Sequence, residues 1–336
     1  MLGRTILSLF AFCGRHATRI LFLAVFVGLA LPDLATLARP LLPGCVLLLL
    51  TATLLRLDWG AIGLELRRPG LQILLVPWQL LAVPLVVWGL CSLLPLPATL
   101  TTALILMAAA PPIMSAAALA TLLGLAGPLA LVACLVATMA TPFVLPPLAL
   151  ELLGLTLDIG LVPFMGRLGF LVGAAVFLAL LLRRLLGRKR VAALAVPIDG
   201  SVVLLMLVFV VAIMDGVTER AIERPDIALG WLAAAWLANP LLQCIGIAAF
   251  WRMGRQQALT VGLLTGNRNM GLLLAALPGT VDLDIAIFFG LAQIPMYVLP
   301  SLTKGLYRRL LQGRTPPGTG QAGRDSGSLG AEGRPR

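Results

Sequence analysis

The chain has 336 residues, 60% of them hydrophobic and only 12% charged, with a mean hydropathy of +1.02. A soluble domain of this length carries about a quarter charged residues, so a water-soluble globule is excluded. The formal net charge of +11 does not imply a nucleic-acid partner, because its distribution follows the pattern of a protein oriented in a bilayer.

Apolar runs near twenty residues recur from end to end, each long enough to cross a ~30 Å hydrocarbon core as a helix. None alternates with period two, as strands of a membrane barrel do. Arg15 and Arg19 precede "ILFLAVFVGLALP", but no clear small-x-small cleavage site follows, so this is read as an uncleaved first helix. Ten spans are predicted, near 19–37, 41–57, 71–94, 99–124, 127–149, 160–183, 199–215, 226–250, 257–279 and 284–307. The second is short, and the fourth and ninth are interrupted. Residues 1–311 form the transmembrane domain, with repeat one at 19–149 and repeat two at 160–307. Residues 312–336, rich in Gly, Pro and Arg, are expected to be a disordered cytoplasmic tail, since they carry almost nothing apolar to bury.

With the N-terminus in the cytoplasm, 20 of the 25 Lys and Arg residues fall on the cytoplasmic side, five of them in the 6–7 loop "RRLLGRKR". Arg39, Arg220 and Arg224 fall outside, as do nine of the 14 acidic residues. That segregation predicts ten spans in the cell (inner or plasma) membrane with both termini inside. "RRLLGRKR" is then an orientation signal and a lipid-headgroup contact, and Arg167 a snorkelling residue. The five cysteines, Cys13, Cys45, Cys91, Cys134 and Cys244, are scattered singly and are read as small buried hydrophobes.

Span four contains "AAAPPIMSAAA". Pro111 and Pro112 remove consecutive backbone donors and predict a break. Span nine contains "TGNRNMG", where Gly266 and Gly271 loosen the helix and two asparagines favour interruption. One is the fourth span of the first five and the other the fourth span of the second five. An odd number of spans per half makes the halves inverted with respect to each other. The expected fold is therefore an all-α polytopic membrane protein of two inverted five-helix repeats, with helices 4 and 9 broken and crossing at the midplane. Paired interruptions of this kind point to the binding site of a secondary transporter.

These features, with "QLLAVP" (Gln79 to Pro84), "PPIMSAA" (Pro111 to Ala117), "TMATP" (Thr138, Thr141, Pro142) and "TGNRNMGL", resemble the bile acid:sodium symporter family, within the superfamily of bile-acid, arsenite and auxin transporters. The likeness runs over roughly residues 15–310. It implies an alternating-access symporter with sodium ligands at Gln79, Ser115, Thr138 and the position of Arg268. The chain departs from the family at those ligands. Arg268 stands where the family has a glutamine, Leu264 where it has a glutamate and Ala117 where it has an asparagine. A permanent guanidinium repels a second cation by several kcal/mol in a partly buried site, on the order of 4 Å away. Sodium coupling is accordingly expected to be weak or absent.

An arginine at the centre of a membrane helix costs at least ~2.5 kcal/mol and normally faces a cavity or a partner. Arg268 either contacts an anionic substrate, aided by the N-terminal ends of the broken half-helices, or braces the crossing by bonding carbonyls freed by the break. Asn267 and Asn269 are expected to cap or bridge the broken backbone, with substrate contact second. Ser115, Thr265 and Asn239 complete the candidate substrate set. Gln79, Thr138 and Thr141 could equally bond neighbouring helices, and Gln243 lies one turn from Asn239.

An enzyme is not expected. The single histidine, His16, precedes the first span, no paired carboxylates fall near mid-depth, and no metal-ligand cluster or phosphate loop is present. No cofactor is expected beyond the sodium that the resemblance implies. The predicted function is secondary transport of a small or amphipathic organic anion, with an anion channel or a non-transporting sensor as the alternative on the same fold. The partners are that anion and the lipid bilayer.

Overall fold

The computed structural model describes residues 10–14, 16–57, 59–67, 70–277 and 280–312. Among them there is no β-strand. The elements are α1 (Ala17–Ala30), α2 (Pro32–Leu55), α3 (Trp59–Leu66), α4 (Gly70–Ser92), α5 (Ala98–Ala109), α6 (Ser115–Leu122) and α7 (Gly127–Leu152). They continue with α8 (Leu161–Ala193), α9 (Ala195–Ile213), α10 (Val217–Glu223), α11 (Pro225–Phe250), α12 (Arg255–Gly266), α13 (Met270–Ala276) and α14 (Leu283–Gln312).

Seven helical stretches are long and apolar enough to cross a bilayer: Pro32–Leu55, Gly70–Ser92, Gly127–Leu152, Leu161–Ala193, Ala195–Glu223, Pro225–Met253 and Leu283–Pro300. The chain is thus an all-α, multi-pass membrane protein. Its outward side chains agree, since Leu93, Val162, Phe170 and Leu237 are each at least 69% exposed, a surface suited to acyl chains rather than water. The interior is built of small and branched apolar residues, with Ala35, Ala110, Ala133, Ala175 and Ala235 fully buried. Small side chains let helix backbones approach closely where lipid supplies no hydrophobic drive for association.

Three of the predicted spans lie outside that set of seven. The first is α1, only 14 residues long. It ends at Leu31 (φ −126°, ψ 74°), and Pro32 opens α2 in the first-turn position that suits its fixed φ and missing N–H. The boundary between the first two spans therefore falls at Leu31, not between residues 37 and 41. The fourth and ninth spans are each split, into α5 and α6 and into α12 and α13.

Other boundaries also differ. "RRLLGRKR" holds a break rather than an extended loop: α8 consists of two helical segments that meet at Gly187 (φ 74°, ψ 158°), where a residue with a side chain would be strained. Within it Arg183 donates to Leu57 O at 3.0 Å and lies 6.0 Å from the centre of the Trp59 ring, so that arginine ties α8 to the α2–α3 corner. Arg167 is exposed on α8. Four cysteines are buried as expected, but Cys244 is exposed because it lies on the outward face of α11. Of the expected disordered tail, Gln312 is the last residue of α14, and 313–336 lie outside the described residues.

Two clusters of charge hold α2, at Arg39 and at Arg56, roughly 25 Å apart at a helical rise of 1.5 Å per residue. Along its first third, Asp215 accepts from Arg39 Nη1 at 2.7 Å and from Thr36 Oγ1 at 2.6 Å. Beyond its end Arg56 pairs with Asp199 at 3.0 Å.

Candidate functional site

The two helix interruptions meet. Ala110 leaves the helical region (φ −59°, ψ 145°) before Pro111 and Pro112, neither of which offers an N–H. Asn267 (φ −101°, ψ 92°) does the same at the end of α12. The extended stretches lie antiparallel, bridged at Pro112 and Arg268. Ile113 N donates to Asn267 O at 2.9 Å, and Asn269 N donates to Pro111 O at 2.8 Å. Each break thereby satisfies backbone groups of the other, as non-helical backbone must when no water is at hand. Asn269 also caps α13, its Oδ1 accepting from Leu272 N at 3.2 Å. Asn267 turns back, Nδ2 donating to Leu263 O at 2.7 Å.

Arg268 is fully buried at this junction. Its Nε donates to Thr265 O at 2.8 Å, and its Nη1 donates to Gln79 O and Ala110 O, each at 3.0 Å. All three acceptors are carbonyls that a regular helix would have used. Ala110 O is released where α5 stops. Thr265 O is released because Asn269 N, its partner in a continuous helix, bonds Pro111 O instead. Gln79 O is released by a π turn over Trp78–Ala82, in which Val83 N reaches back to Trp78 O. That widened turn lies just ahead of Pro84, whose missing N–H disturbs the ladder there. One side chain thus satisfies orphans from three elements. The remaining nitrogen, Nη2, is buried and has no hydrogen-bond partner among the described residues. Nor does Arg268 pair with a carboxylate there, the ion pairs being those of Arg39, Arg56, Arg220 and Arg224.

Behind the junction a polar chain runs to the last helix. Tyr307 OH donates to Gln243 Oε1 at 2.7 Å, Gln243 Nε2 to Asn239 Oδ1 at 2.7 Å, and Asn239 Nδ2 to Gly266 O at 2.8 Å. Thr265 Oγ1 accepts from Trp78 Nε1 and Gln79 Nε2, each at 3.2 Å. Here α11 and α12 are in close contact. A Cβ added at Gly266 would meet Asn239 O at 2.8 Å, and one at Gly246 would meet Thr265 Oγ1 at 2.6 Å.

In front of the junction lies a cavity of about 220 Å³, walled by α2, the start of α6, α9, α13 and α14. Of the candidate substrate residues, Arg268, Asn269 and Ser115 border it. Asn267, Thr265 and Asn239 do not; they are buried in the bonds that hold the breaks together. The four candidate ion ligands are likewise divided. Ser115 and Arg268 border the cavity, whereas Gln79 faces Thr265, and Thr138 donates to Cys134 O at 2.7 Å within its own helix. Thr141 does the same towards Ala137 O at 2.7 Å. Pro111, Pro112 and Gly266 stand at the breaks as predicted, but Gly271 lies in the first turn of α13. There its missing side chain admits the Phe209 ring, which a Cβ would meet at 2.6 Å.

Among the polar residues of the cavity that went unrecognised in the sequence are Gln293 and Tyr297 of α14. Their spacing of four places them on one helix face, and they are polar side chains within an apolar span, which is the signal that could have found them. The Tyr297 hydroxyl is buried without a hydrogen-bond partner among the described residues, like Arg268 Nη2.

Compared with models of known protein families and with curated proteins, the chain matches none.

Proposed function

We propose that the protein is a secondary transporter that carries a small or amphipathic organic anion by alternating access, on the plan of the bile acid:sodium symporter family that its motifs resemble. In this reading α1, the two split helices and the seven long stretches make ten spans in two inverted repeats, with both termini in the cytoplasm and the split helices crossing at mid-membrane. A group of helices around the crossing would rock against an outer panel and expose the cavity to each side in turn.

The observation that carries the reading is Arg268. It is a buried cation at the junction of two interrupted helices, it borders a cavity, and among the described residues it has a free donor and no carboxylate partner. A charge so placed is strongly unfavourable unless something compensates it, and an anion entering the cavity would do so.

Sodium does not fit the residues at hand. Among the described residues the cavity is bordered by no Asp or Glu, and Gln79 does not border it. The Gln79 backbone carbonyl is held by Arg268, and its side-chain Oε1, without a partner among the described residues, lies away from the cavity lining. The guanidinium repels any nearby cation. Transport is therefore proposed to run without obligatory sodium.

Counterflow in liposomes tests this, with labelled organic anions such as benzoate and taurocholate and with sodium or potassium on both sides. Saturable exchange, equal in the two cations, is expected. Exchange that requires sodium would overturn the uncoupled reading. Ohmic single-channel currents would make the protein a channel, and binding without exchange for any anion would make it a sensor.

A further inference from the structure

We infer that the cavity is a monocarboxylate site of limited size, in which the carboxylate bridges Arg268 Nη2 and the Tyr297 hydroxyl while an apolar body lies against α2 and α9. The inference rests on the anion-carrier reading and narrows its substrate class. Among the described residues, Arg268 Nη2 and Tyr297 OH are buried hydrogen-bonding atoms without a partner, and both residues border this one cavity. They come from distant parts of the chain, the α12–α13 junction and α14. Buried polar atoms are seldom left unpaired, and each one so left costs free energy. A carboxylate supplies what both lack, since its two oxygens accept from the two guanidinium N–H groups and from a phenol.

The charge of the ligand follows from the same residues. Among the described residues a single cation, Arg268, borders the cavity. One negative charge neutralises Arg268, whereas a dianion would bring an uncompensated charge into a site of low dielectric. Its body is largely apolar, because Leu50, Met114, Met206 and Phe209 are among the side chains that line the cavity. Its size is bounded as well. A volume of about 220 Å³ lies below the roughly 300–1,000 Å³ of pockets for drug-sized ligands. A benzoate-like acid fits that volume, and a steroid acid does not.

Calorimetric titration of the full chain in lipid nanodiscs tests the site, with benzoate, the neutral isostere benzamide and taurocholate as probes. Benzoate should bind, benzamide should bind at least about tenfold more weakly, and taurocholate should not compete. Tyr297→Phe removes only the hydroxyl and should weaken benzoate roughly tenfold, the usual scale for one hydrogen bond to a charged group. Met206→Trp should abolish binding by filling the cavity. Both variants leave the Arg268 bonds to the backbone intact, so neither result depends on a protein that fails to fold.

Equal binding of benzamide, unchanged affinity in Tyr297→Phe, or taurocholate binding tighter than benzoate would each overturn the assignment. Benzoate binding without exchange in liposomes would sustain the site while removing the carrier. Anion exchange untouched by Tyr297→Phe and Met206→Trp would keep the carrier and remove the site.

Discussion

The guanidinium of Arg268 holds the backbone carbonyl of Gln79, at 3.0 Å, that the π turn in α4 withholds from its own helix. The contact joins residues 189 positions apart and makes one side chain a structural part of three interruptions. Bracing and ligand contact are therefore not exclusive roles for Arg268. Three of its five N–H groups hold backbone, and the two on Nη2 are without a partner among the described residues.

Removal of that side chain should be severe. Arg268→Gln strands up to three buried carbonyls, each worth about 1–3 kcal/mol when left unsatisfied, so a loss of at least ~3 kcal/mol is expected. Arg268→Lys keeps the charge but not the fork and should fall between. Thermal unfolding in detergent measures both, and an Arg268→Gln protein with an unaltered midpoint would remove the brace.

The role of Gln79 separates its backbone from its side chain. Gln79→Leu loses one long hydrogen bond, Nε2 to Thr265 Oγ1 at 3.2 Å, but keeps the carbonyl that Arg268 uses. A cost of about 1 kcal/mol or less is expected, with anion affinity unchanged. A sodium ligand at Gln79 would behave differently, because the substitution would then abolish any stabilisation by sodium over potassium.

Gly266 and Gly44 offer a contrast in packing. A methyl group at Gly266 would strike Asn239 O and the Gln243 side chain, whereas one at Gly44 meets nothing within 4 Å. Gly266→Ala should cost about 1–3 kcal/mol through overpacking of α12 on α11. Gly44→Ala, on the open face of α2, should be neutral or stabilising by up to ~1 kcal/mol, the difference in helix propensity. Equal midpoints for the two variants would contradict the close approach at Gly266.

Much of this architecture is legible in the residues themselves, and the reason is physical. Long apolar runs have few folded alternatives in lipid, and Pro111–Pro112 and "GNRN" interrupt helices by local chemistry that needs no tertiary context. What escaped has a different origin. The release of Gln79 O depends on which carbonyl the helix near Pro84 abandons, a choice made by packing. The separation of Asn267 and Thr265 from Asn269 depends on which side of the junction each faces, and residues so near in sequence carry no mark of that. Tyr297 and Gln293 are polar marks in an otherwise apolar span, but only the rotation of that helix in the bundle brings them to the cavity that Arg268 borders. The boundary at Leu31 could have been placed from Pro32, which opens helices more readily than it continues them.

Tyr307 tests whether the polar chain behind the junction is separate from the site in front of it. Its hydroxyl donates to Gln243, which holds Asn239, which in turn holds the Gly266 carbonyl at the end of α12. None of these four residues borders the cavity. Tyr307→Phe leaves Gln243 Oε1 buried and without a donor, which should lower stability by about 1–2 kcal/mol. Benzoate affinity should stay within about twofold, well under the 1.4 kcal/mol that marks a tenfold change. Tyr297→Phe is expected to show the opposite pattern, since its hydroxyl has no partner to lose, with little change in midpoint and weakened binding. Measured side by side, the two phenylalanine variants separate what holds the broken helices together from what meets the ligand. If Tyr307→Phe weakens benzoate as much as Tyr297→Phe does, the chain and the cavity act as one unit and the division drawn at Arg268 fails.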